Sequence, residues 1–132
     1  MIEIDGMFPV MVTPKLDAVK AFYESVFGFN AVFYDDSFYL HLVSPNSAIQ
    51  LGFLLPEHAS QPDFLRPLMS PDGYVISLEV KDATRAYAEA QKMDLTIAME
   101  FKEEVWGQVH FMLEDPAGFR IDVVQHLEVS GN

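Results

Sequence analysis

The feature that most constrains this chain is a repeat. Asp17-Ala18-Val19-Lys20-Ala21-Phe22-Tyr23-Glu24 and Asp82-Ala83-Thr84-Arg85-Ala86-Tyr87-Ala88-Glu89 share the pattern D-A-x-[K/R]-A-[F/Y]-x-E at a separation of 65 residues. Further on, Ile49-Gln50-Leu51 is mirrored by Ile121-Asp122-Val123. Both matches keep the same order inside the same β-α-β-β-β succession, which argues for two copies of one module. The expected class is α+β, a single domain over residues 1–132 with modules at about 7–55 and 73–126 and a connection or lid at 56–72. A helix covers only one face of a four-stranded sheet. Two modules are therefore expected to curve mixed sheets round a trough, with the helices outside.

The elements follow from periodicity. Met7 to Val12 reads as a strand, and Thr13-Pro14 as a helix start with threonine as cap and proline in the first turn. Leu16, Val19, Phe22, Tyr23, Val26 and Phe27 then recur at threes and fours, and Gly28 ends the helix. Three short strands follow at about 31–34, 38–43 and 48–54. Periodicity lapses through the four prolines between Pro56 and Pro71. It resumes with a strand at 74–80, a helix at 82–93 and strands at 96–101, 108–113 and 119–125.

The last two strands are joined by Asp115-Pro116-Ala117-Gly118, a turn signal with proline second and glycine fourth. Alternation then aims Asp122 away from the face that buries Ile121 and Val123. A carboxylate between two large aliphatic residues is the leading functional candidate.

Charge narrows the partners. Twenty acids against eight bases give −12, which favours solubility and works against nucleic acid or anionic membrane as partners. The absence of cysteine excludes disulfides, thiolate metal sites and cysteine nucleophiles, and fits a reducing cytoplasm. The start Met1-Ile2-Glu3-Ile4-Asp5 is acidic where a signal peptide is basic, and no apolar run approaches the ~20 residues that span a bilayer. The expected location is cytoplasmic.

The tandem order, the A-x-x-F-Y helix ending in F-G-F, and the terminal W-G-Q-x-x-F-x-L-x-D-P-x-G-x-x-I-[E/D] resemble the vicinal oxygen chelate superfamily, also called the glyoxalase, bleomycin resistance and dioxygenase superfamily. The resemblance runs from about Phe8 to Gln125. Its metal-dependent members hold a divalent cation on the first and last strands of each module, and the resemblance places those positions at about Phe8, Gln50, Val75 and Asp122. Phenylalanine and valine lack donor atoms and glutamine is a weak ligand. Neither metal nor other cofactor is therefore expected. A site rebuilt from His41, His110 and Asp122 would need both strands to converge. The likeness is nearest to non-metal, bleomycin-resistance-type members, which sequester a ligand between two chains and commonly carry the dipeptide seen here as Trp106-Gly107. Where many relatives have an arginine two residues later, this chain has Val109.

The leading expectation is a homodimeric, metal-independent protein that binds a cationic or aromatic drug or metabolite. Phe8, Tyr39, Val75, Trp106 and Met112 would wall its site, and His41, Gln50, His110 and Asp122 would orient the ligand. Trp106 serves equally well as a core or interface residue. The alternative is a lyase, isomerase or dioxygenase of the same fold, either metal-dependent or using Asp122 as base and His110 as acid. A vestigial trough is the third reading.

Overall fold

The computed structural model describes residues 1–128. It forms two compact units, Met1–Ser70 and the described residues from Pro71 onward. In the first, the elements are β1 (Val10–Val12), α1 (Leu16–Phe27), β2 (Asn30–Asp35), β3 (Tyr39–Val43) and β4 (Gln50–Leu54), then a 3-10 turn at Asp63–Leu65. In the second they are β5 (Val75–Glu79), α2 (Ala83–Lys92), β6 (Ile97–Glu104), β7 (Gln108–Glu114) and β8 (Arg120–His126). The sheets run in the orders β1-β4-β3-β2 and β5-β8-β7-β6. In both, the first strand pairs with the last in parallel and the remaining pairs are antiparallel. Two four-stranded mixed sheets, each with its helix, make an α+β fold of tandem modules.

Each core lies between helix and sheet. Leu16, Val19 and Tyr23 of α1 meet Met11, Leu40, Leu42, Leu51 and Phe53 from the strands, all almost fully buried. The helix of the second unit is thinner, burying Ala83 and Ala90, so aromatic contact makes up volume: Tyr87 packs 5.0 Å from the Phe111 ring. Ile76, Phe111, Leu113, Ile121 and Val123 complete that core. In both sheets the strand residues of opposite parity face away from the helix, and the chemically interesting side chains stand there.

Local signals hold at most boundaries. Gly28 closes α1 in the left-handed region at φ 71°, its N–H bonded to Glu24 O. Asp82 caps α2 by accepting from Arg85 N at 3.0 Å. In the 115–118 turn, Gly118 sits at φ 90° and Asp115 Oδ1 accepts from the N–H groups of Ala117 and Phe119. The start of α1 corrects the expected threonine cap. Lys15 is the cap residue, and Thr13 Oγ1 instead accepts from Lys15 N while the Thr13 N–H pairs with Leu54 O and continues the sheet. β1 is shorter than expected, beginning after Pro9, which has no N–H to give to a ladder. β6 is longer, reaching Glu104 through two register shifts.

Candidate functional site

In the first unit the site begins with a missing side chain. Gly52 lies opposite His41 in the β3/β4 ladder, and a Cβ there would stand 2.3 Å from the Tyr39 hydroxyl and 3.0 Å from its ring. Glycine lets the Tyr39 ring lie across β4. From that position the Tyr39 O–H meets His41 Nδ1 at 2.7 Å, and His41 Nε2 meets Gln50 Oε1 at 2.8 Å. Since Gln50 Oε1 only accepts, Nε2 carries the proton and Nδ1 accepts from the tyrosine. Burial holds the Tyr39 hydroxyl above the ordinary phenol pKa, keeping it a donor. The relay uses one N–H and one lone pair of the imidazole, the complement of its neutral form.

A cavity of ≈ 500 Å³ opens beside this relay. Its aromatic wall is Phe8, Phe33, Phe38 and Tyr39. Phe8 stands edge-on to His41 at 4.7 Å, and Phe33 and Phe38 lie 6.2 and 5.8 Å from Tyr39. Val10 and Leu54 extend the wall, and Gln61 and Leu65 close it from the connection. That connection is tied to its own unit by Leu55 N–H to Phe38 O and Met69 N–H to Val12 O. Arg66 holds its shape by donating to the carbonyls of Gln61 and Ala59. His58 lies against Phe38, the ring centroids 4.5 Å apart and the planes tilted by 40°.

The second unit handles the same positions with charge. His110 Nδ1 contacts Asp122 Oδ1 at 2.8 Å and His110 Nε2 contacts Glu104 Oε2 at 2.8 Å. Two carboxylates on one ring both need a donor, which only the imidazolium supplies. Burial pulls the His110 pKa down, but the hydrogen bonds to Glu104 and Asp122 outweigh it and leave it above the usual imidazole value. The His110 bond holds the Glu104 carboxyl below the usual carboxylate range, with Lys102, 3.2 Å away, adding to the effect. The side chains of His110, Glu104 and Asp122 are only 7, 12 and 14 % exposed.

The remaining candidates are spread over the second unit. Trp106 lies in the turn between β6 and β7, 64 % exposed, its indole N–H donating to Gln108 Oε1 at 2.8 Å. Val75 and Met112 line a concavity of ≈ 540 Å³ with Tyr74, Glu114 and Arg120. Arg120 is committed there to Asp72 at 2.9 Å and Glu114 at 3.6 Å. In the β5/β8 register Val75 faces Arg120, whereas Ser77 faces Asp122.

The structure thus brings Phe8, Tyr39, His41 and Gln50 together in one unit, and His110 with Asp122 in the other. Sequence reading missed Phe33, Phe38, Gln61, Gly52 and Glu104. Phe33 was visible by alternation on its strand; Glu104 was hidden by ending that strand at 101. Among the described residues, no group of three or more His, Asp or Glu is disposed to hold a metal ion, and no buried side-chain nitrogen or oxygen lacks a partner. No helix among them is long and apolar enough to cross a membrane.

Comparison with known proteins gives the same architecture. The chain is similar to a lactoylglutathione lyase from Agrobacterium tumefaciens, with 18 % identity over 90 % of this chain and 91 % of that one and a TM-score of 0.75. It is similar to a bleomycin-binding protein solved in complex with bleomycin, with 21 % identity, 93 and 99 % coverage and a TM-score of 0.67. A Sphaerobacter thermophilus DSM 20745 protein of the glyoxalase/bleomycin resistance protein/dioxygenase superfamily gives 22 % identity, 96 and 100 % coverage and a TM-score of 0.73. No curated protein sequence is a match for the chain. The family model described as Glyoxalase/Bleomycin resistance protein/Dioxygenase superfamily matches residues 8–123, nearly the whole of the tandem repeat, and the chain belongs to that superfamily.

Proposed function

We propose that this protein binds a small organic molecule, without a metal ion, in the aromatic cavity of its first unit. The observation that carries the reading is the ≈ 500 Å³ cavity walled by Phe8, Phe33, Phe38 and Tyr39, with the Tyr39 hydroxyl, His41 and Gln61 as its polar groups. Size and composition are those of small-molecule sites. The likeness to a bleomycin-binding protein lends it support.

Donor chemistry argues for metal independence. Phe8 and Val75 offer no ligand atom, Gln50 Oε1 is held by His41, and one Asp122 oxygen is held by His110. Both nitrogens of His41 and of His110 are already bonded. The same bonding disfavours Asp122 and His110 as an acid–base pair, because neither ring nitrogen is left to face a substrate. The protein is further proposed to pair as a cytoplasmic homodimer, since β2 is a sheet edge that carries the apolar Val32, 62 % exposed.

Thermal unfolding of the parent and of Phe33→Ala against a panel of aromatic drugs and metabolites tests the reading. A ligand at a hundredfold excess over its Kd is expected to stabilise the parent by about 2.7 kcal/mol and the variant by less. Elemental analysis showing one Zn, Ni, Fe or Mn per chain after dialysis would overturn metal independence. A monomer in sedimentation at micromolar concentration would overturn the dimer.

A further inference from the structure

Resting on that reading, we infer that the ligand of the first-unit cavity is an uncharged, flat aromatic molecule carrying an O–H or N–H donor. Three observations converge. Four aromatic side chains, Phe8, Phe33, Phe38 and Tyr39, surround a space with no ionised side chain in its lining. Their ring faces and edges complement another aromatic ring at stacking or edge distance.

The oxygen atoms at the cavity are acceptors. Tyr39 has given its hydrogen to His41 Nδ1, so its oxygen offers lone pairs. Gln61 donates one amide N–H to Ser60 Oγ at 3.2 Å and retains its carbonyl oxygen as an acceptor beside its second N–H. His41 has both nitrogens engaged and presents only its ring. A ligand there is met by two acceptor oxygens against one remaining amide N–H, and therefore gains most by bringing a donor.

Charge is disfavoured from both directions. An anion would meet two acceptor oxygens, one neutral amide N–H and no cation. A cation would gain from the aromatic faces, but its desolvation is not offset by any carboxylate in the wall. The nearby Asp35 is turned to its own loop, where Oδ1 accepts from Ser37 N and Oγ. In the second unit the Asp122 charge is already met by His110 at 2.8 Å. Charge recognition, the expectation attached to Asp122, has no unpaired group behind it at either place.

Isothermal titration of the full chain with four probes of one ring system decides the matter: naphthol, its methyl ether, naphthoate and trimethylnaphthylammonium. Naphthol is expected to bind at least about tenfold tighter than either ion and about fivefold tighter than the ether, as fits one donor bond and an uncharged wall. Phe33→Ala, at a residue half exposed in the parent, is expected to weaken naphthol at least about tenfold with an unchanged circular dichroism spectrum. Should that variant lose its spectrum, Phe38→Ala is read in its place. An ion that binds as tightly as naphthol, and is equally sensitive to these variants, overturns the inference and leaves the small-molecule reading intact. Equal affinity for the ether overturns the donor requirement. If no probe gives a signal that either variant weakens, the inference and the reading both fall.

Discussion

His41 and His110 hold the same place in their two units, and their surroundings differ in charge. Each stands on the strand next to the last, opposite Gly52 in one ladder and Val124 in the other, and each reaches to the residue two before that partner, Gln50 or Asp122. The other ring nitrogen meets the Tyr39 hydroxyl in the first unit and the Glu104 carboxylate in the second. One histidine is thus set in a neutral relay beside an aromatic cavity; the other is clamped as a cation and nearly sealed. The cause is partly a single Cβ. Gly52 leaves room for the Tyr39 ring to lie over the sheet, whereas the equivalent Val124 is a buried β-branched side chain. The corresponding neighbour, Gln108, turns instead to Trp106 and His126. A repeated fold therefore dictates where a histidine stands and leaves its chemistry to its neighbours.

Copying the second unit into the first should break the comparison most severely. Gly52→Val puts carbon where the Tyr39 hydroxyl lies, and overpacking of that kind costs about 1–3 kcal/mol. Tyr39 must leave His41, so urea unfolding should show lower stability and ligand-induced stabilisation should vanish. A variant as stable as the parent with Tyr39 still bonded to His41 would show that the glycine is incidental.

The next effect is a pH dependence carried by the His110 clamp of the second unit. The pKa of His110 is raised from 6.5, so its contribution is complete below that value and is lost as pH rises through the raised one. Glu104 is lowered from 4.5, so its contribution is complete above that value and is lost as pH falls through the lowered one. The clamp is therefore strongest between pH 4.5 and 6.5. The gap in Tm between the parent and His110→Gln should be widest in that window and shrink on either side. A gap independent of pH would mean that His110 acts through packing alone.

The smallest change in stability, and the sharpest in chemistry, comes from Gln50→Glu. It gives the first unit the carboxylate that the second has at Asp122, with little change of shape. The His41 Nε2–H should then donate to a carboxylate, and its proton resonance in the NMR spectrum should move downfield as that bond becomes charge-assisted. An unchanged resonance would show that the relay is set by Tyr39 rather than by Gln50.

Much of the fold was legible from residues alone. The paired D-A-x-[K/R]-A-[F/Y]-x-E helices, the alternation through Phe119 to Gln125 and the D-P-A-G turn all report backbone preferences acting over a few residues, and the described elements follow them closely. The misread start of α1 shows the limit. Thr13-Pro14 is a strong local signal, yet the N–H of Thr13 is taken by Leu54 O across the sheet, a bond no local pattern announces.

The site divides in the same way. Periodicity placed Asp122 off the core face of its strand and put Tyr39 and His41 on one face together, because alternation is a property of the strand itself. Tertiary structure alone decided what each residue met there. Glu104 became the second partner of His110 through a bulged register between β6 and β7. Gly52 became the seat of the Tyr39 ring through the β3/β4 ladder. Gln61 and Leu65 reached the cavity wall through the path of an aperiodic connection. A residue's face is written in its own neighbourhood of the chain; its partners depend on register and on how loops pass over a sheet, which are settled only when distant segments pack.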